Sequence, residues 1–407
     1  MKKIVVTGMG AVTPVGIGVD NYWKNITAGV SGIDTIKSFD PSELAVQVAG
    51  ELKDFNPTDY LAKDLIRKSD PFMQYAYIAA EEAMKQSNLE ITEPQRTGIV
   101  MGTAMSGIAT IAFTQEALSG ASHKKVGPRF IPKILGNIAA ANIAIDYNIQ
   151  GPSFTVSTAC SSGGDAINTA CMCIETGKAD VMLALGAESV LCPLVIYSLG
   201  NAKALSRRND SPNTASRPFD ITRDGFVIGA GGGALVLETE EHALARGAKI
   251  LAEIKGCGNT CDAHHVTAPH PEGKGAIACM ELAIAAAGIK PEEIGYVNAH
   301  GTATHKGDIV ETSAIKKVFC NKLPYVSSTK GATGHMMGAG GITETITCIK
   351  TIETGVIAPT INLNEVDPEC AGIDFVANTA KTADIKYAMS NAFGFGGQNS
   401  SIIVGKY

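Results

Sequence analysis

The chain has 407 residues, of which 45% are hydrophobic and 18% are charged, and it contains 44 glycines and 10 cysteines. This composition is typical of a large, well-buried α/β enzyme, and the length suggests two or three domains. A net charge of −6 without a basic block argues against a nucleic-acid partner. No apolar run approaches the roughly 18 residues that span a bilayer. We therefore expect no membrane partner and a cytoplasmic protein with reduced thiols.

Strand-like and helix-like segments alternate along the chain, which predicts a layered α/β architecture. In the first part the pattern predicts buried strands over residues 4–6, 98–101, 181–185 and 234–237, and helices over residues 71–86 and 164–175. Further along it predicts a helix over residues 276–287 and strands over residues 250–255, 296–298, 325–327, 373–376 and 401–404. The two parts share a rhythm, but residue repetition is too faint to prove a duplication. We divide the chain into an N-terminal half, residues 1–250, and a C-terminal half, residues 251–407.

Cys160 lies between a short extended segment and a helix, within the sequence Thr-Val-Ser-Thr-Ala-Cys-Ser-Ser-Gly-Gly of residues 155–164. Ser161 or Ser162 can cap the N-terminus of that helix. A cysteine at such a turn faces the positive end of the helix dipole, which favours the thiolate over the thiol. A buried, inert thiol is the alternative for any single cysteine. The hypothesis that Cys160 is a nucleophile therefore depends on the residues that accompany it.

Two histidines lie in glycine- and threonine-rich loops far downstream. His300 follows the predicted strand at residues 296–298, and His335 follows the predicted strand at residues 325–327. Loops at strand ends are places where functional side chains stand free of packing. Together with Cys160, the histidines supply a nucleophile and two imidazoles that can donate hydrogen bonds or transfer protons.

Three other patterns carry less weight. Gly8-x-Gly10 follows a strand, as a dinucleotide-binding loop does, but Thr13 occupies the place of the third glycine. No Gly-x-Ser-x-Gly sequence is present, so a serine hydrolase lacks its signature. One further cluster could pass for a metal site, although its spacing fits no structural zinc pattern. Its members are Cys257, Cys261, Asp262, His264 and His265.

Four blocks of the sequence resemble, in order, the condensing enzymes, and most closely the elongating β-ketoacyl-[acyl-carrier-protein] synthase II type. The resemblance covers essentially the whole chain. In the same superfamily, initiating synthases have a Cys-His-Asn set and thiolases have a second catalytic cysteine. The second histidine, His335, therefore points to the elongating type. The fold implied is the thiolase-like α/β fold, with two similar halves packed as α-β-α-β-α layers. The four blocks are residues 156–163, 297–308, 327–341 and 389–397, and residues 4–16 and 215–220 match too.

The reaction implied by the resemblance is decarboxylative Claisen condensation. A malonyl-acyl-carrier-protein would react with an acyl group held on Cys160, giving 3-oxoacyl-acyl-carrier-protein in fatty-acid elongation. In that scheme His300 and His335 stabilise the enolate, Lys330 organises the pocket electrostatically, and Phe395 is an aromatic gate. The oxyanion donors would be the backbone N–H groups of Cys160 and Phe395. No cofactor is implied beyond the phosphopantetheine that arrives on the carrier protein.

The resemblance also implies a homodimer and assigns four further groups of residues. Thr302, Thr304 and Thr267 would contact pantetheine. Met105, with Phe130 of the partner chain, would close the acyl tunnel. Arg67, Lys68 and Lys203 would dock the acidic carrier protein, and Asn298, Glu344 and Ser390 would surround a monovalent cation.

Several positions depart from the family pattern near the mouth of the site. His305 replaces a proline, Gln398 replaces a threonine, and Gly331 and Ala332 replace larger residues. These departures leave the preferred acyl length and the pathway open. One alternative is a ketosynthase of a type II polyketide or other secondary pathway. Another is a non-catalytic partner subunit, although such partners typically lack the nucleophile.

Overall fold

The computed structural model describes residues 2–119 and 126–407. The strands of these residues are β1 Ile4–Thr13, β2 Gly16–Ile17, β3 Ile33–Thr35, β4 Val48–Gly50, β5 Thr97–Gly102, β6 Ser153–Val156, β7 Val181–Glu188, β8 Gly231–Thr239, β9 Ala252–Cys261, β10 Ile294–Asn298, β11 Tyr325–Ser327, β12 Val356–Ile357, β13 Asp374–Phe375, β14 Lys381–Thr382, β15 Tyr387–Phe393 and β16 Gln398–Gly405. The α-helices are α1 Val19–Thr27, α2 Lys63–Lys68, α3 Pro71–Ser87, α4 Ile108–Ser119, α5 Phe130–Ile134, α6 Asn137–Tyr147, α7 Ser162–Glu175, α8 Pro193–Asn201, α9 Glu240–Ala245, α10 Lys274–Ala287, α11 His305–Val318, α12 Lys330–Thr333 and α13 Gly340–Thr354.

The sheet shows the duplication that the sequence repeats too faintly to reveal. The first-half order is β6-β5-β7-β8-β1, and the second-half order is β11-β10-β15-β16-β9, with β13 added outside β11. Counted along the chain, the second of the five strands in each half (β5 or β10) pairs in parallel with the third (β6 or β11) and the fourth (β7 or β15). The fifth strand lies antiparallel between the fourth and the first. The two halves therefore share one strand order and one set of directions.

The two half-sheets join edge to edge where the first strands of the halves meet. Ile4, Val5 and Val6 of β1 pair antiparallel with Ile254, Glu253 and Ala252 of β9. The strands of the two half-sheets thus form one continuous hydrogen-bonded path, while β3 with β4 and β12 with β14 form separate two-stranded sheets. The division of the chain at residue 250 stays a prediction, and this junction lies directly beside it.

Helices cover both faces of this sheet system. α3 packs on β1, β7 and β8, and α10 packs on β9 and β16, so each half has an outer helical layer. α7 and α13 contact each other, and each also contacts strands of both halves. They form the middle layer between the half-sheets. This is the α-β-α-β-α arrangement implied by the resemblance, and the predicted fold class is confirmed.

Every strand and helix predicted from the sequence is present, but several boundaries differ. β1 continues to Thr13, well beyond the predicted residues 4–6, because Gly8 and Gly10 belong to the strand. A Cβ on Gly8 would overlap the carbonyl oxygen of Ala83, and one on Gly10 would overlap that of Ala79. The Gly-x-Gly pattern thus lets α3 lie directly on β1, and close helix packing explains it without a nucleotide.

Candidate active site

The three predicted catalytic side chains lie on segments that leave the carboxyl ends of parallel strands. β6 leads to Cys160, β10 leads to His300, and β11 leads through the short helix α12 to His335. The carboxyl ends of parallel strands form the usual ligand crevice of open α/β sheets. The first half of the chain therefore contributes the thiol, and the second half contributes both imidazoles.

Cys160 occupies the middle of a single 3₁₀ turn, Ala159–Ser161, directly before α7. Ala159 has a φ of 52°, in the left-handed region that alanine rarely adopts. Strained backbone of this kind concentrates at functional sites. The predicted serine cap is wrong, because the Ser161 hydroxyl donates to the Thr158 carbonyl at 2.8 Å and makes no cap hydrogen bond. The Ser162 hydroxyl instead accepts the Thr158 N–H at 2.9 Å.

Cys160, His300 and His335 meet in space. The Cys160 Sγ, one ring nitrogen of His300 and one of His335 all lie within 4.8 Å of one another. The two imidazole rings stand edge to face, with centroids 5.3 Å apart and planes at 88°. A small reacting group between them could therefore contact the thiol and both imidazoles.

Both histidines have buried ring nitrogens that no described residue contacts by a hydrogen bond. In the part of the chain that the structure describes, the Nδ1 of His300 and both ring nitrogens of His335 are buried and make no hydrogen bond. Their backbones, in contrast, are fixed: the His335 N–H donates to the Val227 carbonyl at 2.7 Å. A buried polar group without a partner is costly, and such groups point to a ligand. These ring nitrogens are therefore available to hydrogen-bond a molecule in the site.

Two backbone N–H groups act on the Cys160 sulfur. The N–H groups of Phe395 and Cys160 itself lower the pKa of the Cys160 thiol. The Phe395 loop can approach this closely because Gly394 has no side chain. A Cβ there would lie 2.7 Å from the Thr158 carbonyl oxygen and 3.2 Å from the Cys160 nitrogen. Gly396 and Gly397 follow with φ of 88° and 76°, a conformation that favours glycine.

Burial opposes the thiolate that the helix start was expected to favour at Cys160. Burial raises the pKa of the Cys160 thiol to about 11, and the donated N–H groups and the nearby Lys330 ammonium only partly offset it. Desolvation penalises the charged form, and here it outweighs the turn at the helix start.

Both imidazoles are also neutral. Burial, with a further contribution from the Lys330 ammonium, holds the pKa of His300 and of His335 well below the usual value. Lys330 itself is buried and pairs with Glu344, whose carboxylate accepts its hydrogen bond. The resting site thus combines a neutral thiol with two neutral imidazoles, and one buried cation acts on all three.

Sequence reasoning missed the residues that hold the His300 loop. Glu311, on α11, accepts the N–H groups of His300 and Gly301 at 2.8 and 2.7 Å. Burial raises its pKa to about 7. One turn earlier on α11, the buried Asp308 accepts the Phe219 N–H at 2.7 Å. The sequence did offer one signal for these residues: Asp308 and Glu311 are carboxylates three residues apart on the apolar stripe of one helix.

The threonines predicted to contact pantetheine lie in two separate loops. Thr302 and Thr304 adjoin His300, and their hydroxyl oxygens are 3.1 Å apart. Thr267 is exposed, and its N–H donates to the His265 Nδ1 at 3.1 Å. That second loop is tied to the Phe395 loop, because the Gly396 N–H donates to the Val266 carbonyl at 2.7 Å.

The predicted tunnel and docking residues lie at exposed or partly exposed positions. Met105, after β5, is 37% exposed, and Phe130 begins α5 and is partly buried. Arg67 and Lys68 end α2, where both pair with Asp64 at 2.8 and 3.1 Å. Lys203 is exposed in the loop after α8, with a φ of 56°.

The predicted cation residues include two buried oxygens, Asn298 Oδ1 and Glu344 Oε2. Neither oxygen has a hydrogen-bond partner among the described residues. Asn298 also lies beside Ser390 in register across β10 and β15. Carbonyl and carboxylate oxygens suit a hard cation, so this donor set fits the predicted monovalent ion. The Lys330 ammonium already balances the other Glu344 oxygen.

Two of the departures from the family pattern have a structural setting. Gly331 packs against Ile361, and a Cβ there would lie 2.9 Å from the Ile361 carbonyl oxygen, so no larger residue fits. His305 is exposed at the start of α11, with its Nε2 4.0 Å from Asp367. Nothing in the structure explains the replacement of the threonine by Gln398.

The cysteine- and histidine-rich cluster near residue 260 is not gathered around a common point. Among residues 2–119 and 126–407, the side chains that could share a metal ion are the Cys160 group and a group of His305, Asp367 and Glu369. Within the same ranges, no helix is both long and apolar enough to cross a bilayer.

A duplicated five-layer fold with one thiol and two imidazoles between its halves defines the class of thiolase-like acyl-transferring enzymes. The Beta-ketoacyl synthase N-terminal domain matches residues 1–243, and the Beta-ketoacyl synthase C-terminal domain matches residues 251–364. The chain belongs to the β-ketoacyl synthase family.

Similar proteins agree with this membership over the full length. The 3-oxoacyl-[acyl-carrier-protein] synthase 2 of Vibrio harveyi is 43% identical, covering 100% of this chain and 99% of the relative. That of Vibrio cholerae is 44% identical, covering 99% and 98%. Among solved structures, the ishigamide ketosynthase/chain length factor has a TM-score of 0.93 at 33% identity, covering 100% and 99%. A type II PKS acyl-carrier protein in complex with its ketosynthase has a TM-score of 0.90 at 32% identity, covering 100% of both chains.

Proposed function

We propose that this protein is an elongating ketosynthase of fatty-acid synthesis that works in the cytoplasm. It condenses malonyl-acyl-carrier-protein with an acyl group held on Cys160 and releases 3-oxoacyl-acyl-carrier-protein and carbon dioxide. The observation that carries this proposal is the meeting of the Cys160 thiol with two neutral imidazoles, whose His300 Nδ1 and His335 ring nitrogens are buried and make no hydrogen bond within residues 2–119 and 126–407. The full-length relatives named 3-oxoacyl-[acyl-carrier-protein] synthase 2, at 43% and 44% identity, support the elongating reaction over other acyl transfers.

Acyl transfer to Cys160 comes first, and it neither consumes nor releases a proton overall. The Cys160 sulfur attacks the thioester carbonyl, the new C–S bond forms, and the bond to the pantetheine sulfur breaks. The proton of the Cys160 thiol ends on the departing pantetheine thiol. The N–H groups of Cys160 and Phe395 face the sulfur, so they can bind the oxyanion of the tetrahedral intermediate. One such donor is worth about 3–4 kcal/mol of barrier.

Decarboxylation follows at the two imidazoles. Loss of carbon dioxide from the malonyl thioester leaves an enolate, whose oxygen needs hydrogen-bond donors. Neutral imidazoles have one N–H each, and the depressed pKa values of His300 and His335 keep them in that form. The enolate carbon attacks the acyl carbonyl on Cys160, and the cysteine sulfur leaves. One proton is taken up to restore the thiol.

Lys330 acts on this pocket without touching the reacting atoms. Its buried ammonium lowers the pKa of both imidazoles and of the Cys160 thiol. A positive charge here disfavours imidazolium and favours the anionic enolate. The Asn298 and Glu344 oxygens would hold a monovalent cation, with Ser390 beside them, and such an ion would fix the ends of β10 and α13.

Phosphopantetheine brings both substrates on an acyl carrier protein, and no other cofactor is required. Thr302 and Thr304 would bind its amides beside His300, with Thr267 on the facing loop. Phe395 is 41% exposed between flexible glycines, so its ring can swing aside for the acyl chain. The ketosynthase solved with its acyl-carrier protein supports such a partner here. Arg67, Lys68 and Lys203 would attract the acidic carrier protein.

A homodimer would cover the exposed apolar surface near Met105. Phe154 of the edge strand β6 is 46% exposed, and Ile131 of α5 is 56% exposed. An uncovered edge strand with apolar side chains favours pairing with another chain. In the dimer, Phe130 of the partner subunit would close the acyl tunnel beside Met105.

The Met105→Phe variant should shorten the longest acyl chain accepted. The larger side chain would fill the blind end of the tunnel, which is remote from Cys160. Turnover of long chains should fall about tenfold or more, while short-chain turnover stays within about twofold. Condensation rates over a series of acyl-carrier substrates measure this. An unchanged chain-length profile would remove Met105 from the tunnel, and an active monomer in sedimentation would remove the dimer.

The function itself is tested with the purified protein and loaded carrier proteins. Acyl-carrier protein and malonyl-carrier protein should yield one 3-oxoacyl product and carbon dioxide without a second ketosynthase subunit. Failure of the protein alone would indicate a non-catalytic partner subunit. Repeated extension to a polyketone would support a polyketide pathway, which the type II PKS neighbour represents at 32% identity.

A further inference from the structure

Glu188 is a buried carboxylate that none of the steps above uses. It is the last residue of β7 and is fully buried. Its Oε2 accepts the Ala104 N–H at 2.6 Å and the Gly338 N–H at 3.3 Å. Its Oε1 accepts the Met105 N–H and the Thr103 hydroxyl, each at 3.2 Å.

These donors belong to two segments that are far apart in the sequence. The segment Thr103–Met105 follows β5 and contains the residue assigned to the acyl tunnel. Gly338 lies in the 3₁₀ turn Met337–Ala339, which begins two residues after His335. That turn also packs on the Cys160 turn. One carboxylate thus hydrogen-bonds both the proposed acyl-tunnel segment Thr103–Met105 and the turn that follows His335.

The two segments touch so closely that their spacing has little freedom. A Cβ on Gly338 would lie 2.8 Å from the Thr103 Cα. The Gly338 carbonyl oxygen in turn fits against Gly163 and Gly186, where a Cβ would lie 2.6 and 2.5 Å from it. A shift of the tunnel segment would therefore be transmitted to the turn after His335.

The donors to Glu188 are all uncharged in the described ranges 2–119 and 126–407, so no salt bridge explains its burial. A buried carboxylate without a cation is expensive and persists when its hydrogen bonds are required. Burial raises the pKa of Glu188 to about 7.

We propose that Glu188 is a positioning residue that holds the acyl-tunnel segment Thr103–Met105 and the turn after His335 at one fixed spacing. Long-chain acylation and malonyl decarboxylation then depend on the same side chain. The proposal rests on the proposed function, because it takes the tunnel at Met105 and the enolate site at His335 from it.

The test is Glu188→Gln, which keeps the size of the side chain. Whichever way the amide is turned, its NH₂ faces a backbone N–H: Ala104 and Gly338 on one side, or Met105 on the other. Three rates are measured: acyl transfer to Cys160 from a short-chain carrier, the same from a long-chain carrier, and malonyl-carrier decarboxylation. We expect the last two to fall about tenfold, and the first to stay within about twofold.

Glu238→Gln is the matched control. Glu238 is equally buried, but it lies at the other end of the β7–β8 pair, opposite Val181, and binds Arg246. Its loss should lower the unfolding temperature without changing the ratio of the three rates. Thr103→Val removes one bond to Glu188 and should reproduce the Glu188→Gln pattern at about threefold, which keeps the test available if Glu188→Gln does not fold.

The outcomes separate this proposal from the proposed function. Wild-type protein without condensation would contradict the proposed function. Active wild type, with equal losses of all three rates in Glu188→Gln, would make Glu188 merely structural. Unchanged rates, or a loss in only one of the two dependent rates, would also overturn the proposal.

Discussion

A Cys160→Ala variant is expected to lose condensation by more than about 1,000-fold while keeping its fold. The side chain is only 8% exposed and loses a single atom, so packing changes little. The acyl group, however, loses the atom that would bind it. Product formation measures the first effect, and thermal unfolding measures the second. In the wild type, mass spectrometry after incubation with acyl-carrier protein should find the acyl mass on the peptide with Cys160.

Cys348→Ala is the control for this prediction. Cys348 is another fully buried thiol, on the middle-layer helix α13, and has no assigned role. Its replacement should leave condensation near the wild-type rate. Acylation of any cysteine other than Cys160 would contradict the assignment. Cys160→Gln should still decarboxylate malonyl-carrier protein, because both imidazoles remain.

The helices and strands of the fold could largely be predicted from the sequence, but the pairing that joins the two halves could not. Apolar segments predicted most strands of the duplicated sheet, but β15 was not predicted, and β6 was predicted only as a short extended segment before Cys160. The pairing of Ile4 to Val6 with residues of β9 was not foreseen, because nothing local distinguishes an edge that pairs from one that does not. The extension of β1 was missed for a related reason. Gly8 and Gly10 read as loop residues until the helix that lies on them is known.

The candidate site shows the same division between local and spatial information. Cys160, His300 and His335 were predicted because each lies in a distinctive loop, and the structure brings them together. The burial that raises the pKa of Cys160 was not foreseen, because the helix start is visible in the sequence and the burial is not. Glu188 and Glu311 were missed, since their function lies in hydrogen bonds to backbone groups 84 and 11 residues away.

The second large effect concerns the division of work between thiol and imidazoles. His300→Ala and His335→Ala should each slow malonyl decarboxylation roughly 100- to 1,000-fold, because each removes one donor from the enolate oxygen. Acyl transfer to Cys160 should fall much less. Single-turnover assays of the two half-reactions measure this. His335→Asn should lose less than His335→Ala, since an amide N–H remains.

His242→Ala serves as the control for these variants, because His242 lies on α9 and contacts Glu238 rather than the site. The prediction depends on the low pKa of both active-site imidazoles. A buried imidazole with a low pKa is a poor acceptor for the proton of a thiol whose pKa is about 11, so neither histidine should limit acyl transfer. Equal losses in both half-reactions would mean that one histidine removes the thiol proton in spite of this difference. The proposal that the two neutral imidazoles serve decarboxylation and not acyl transfer would then be contradicted.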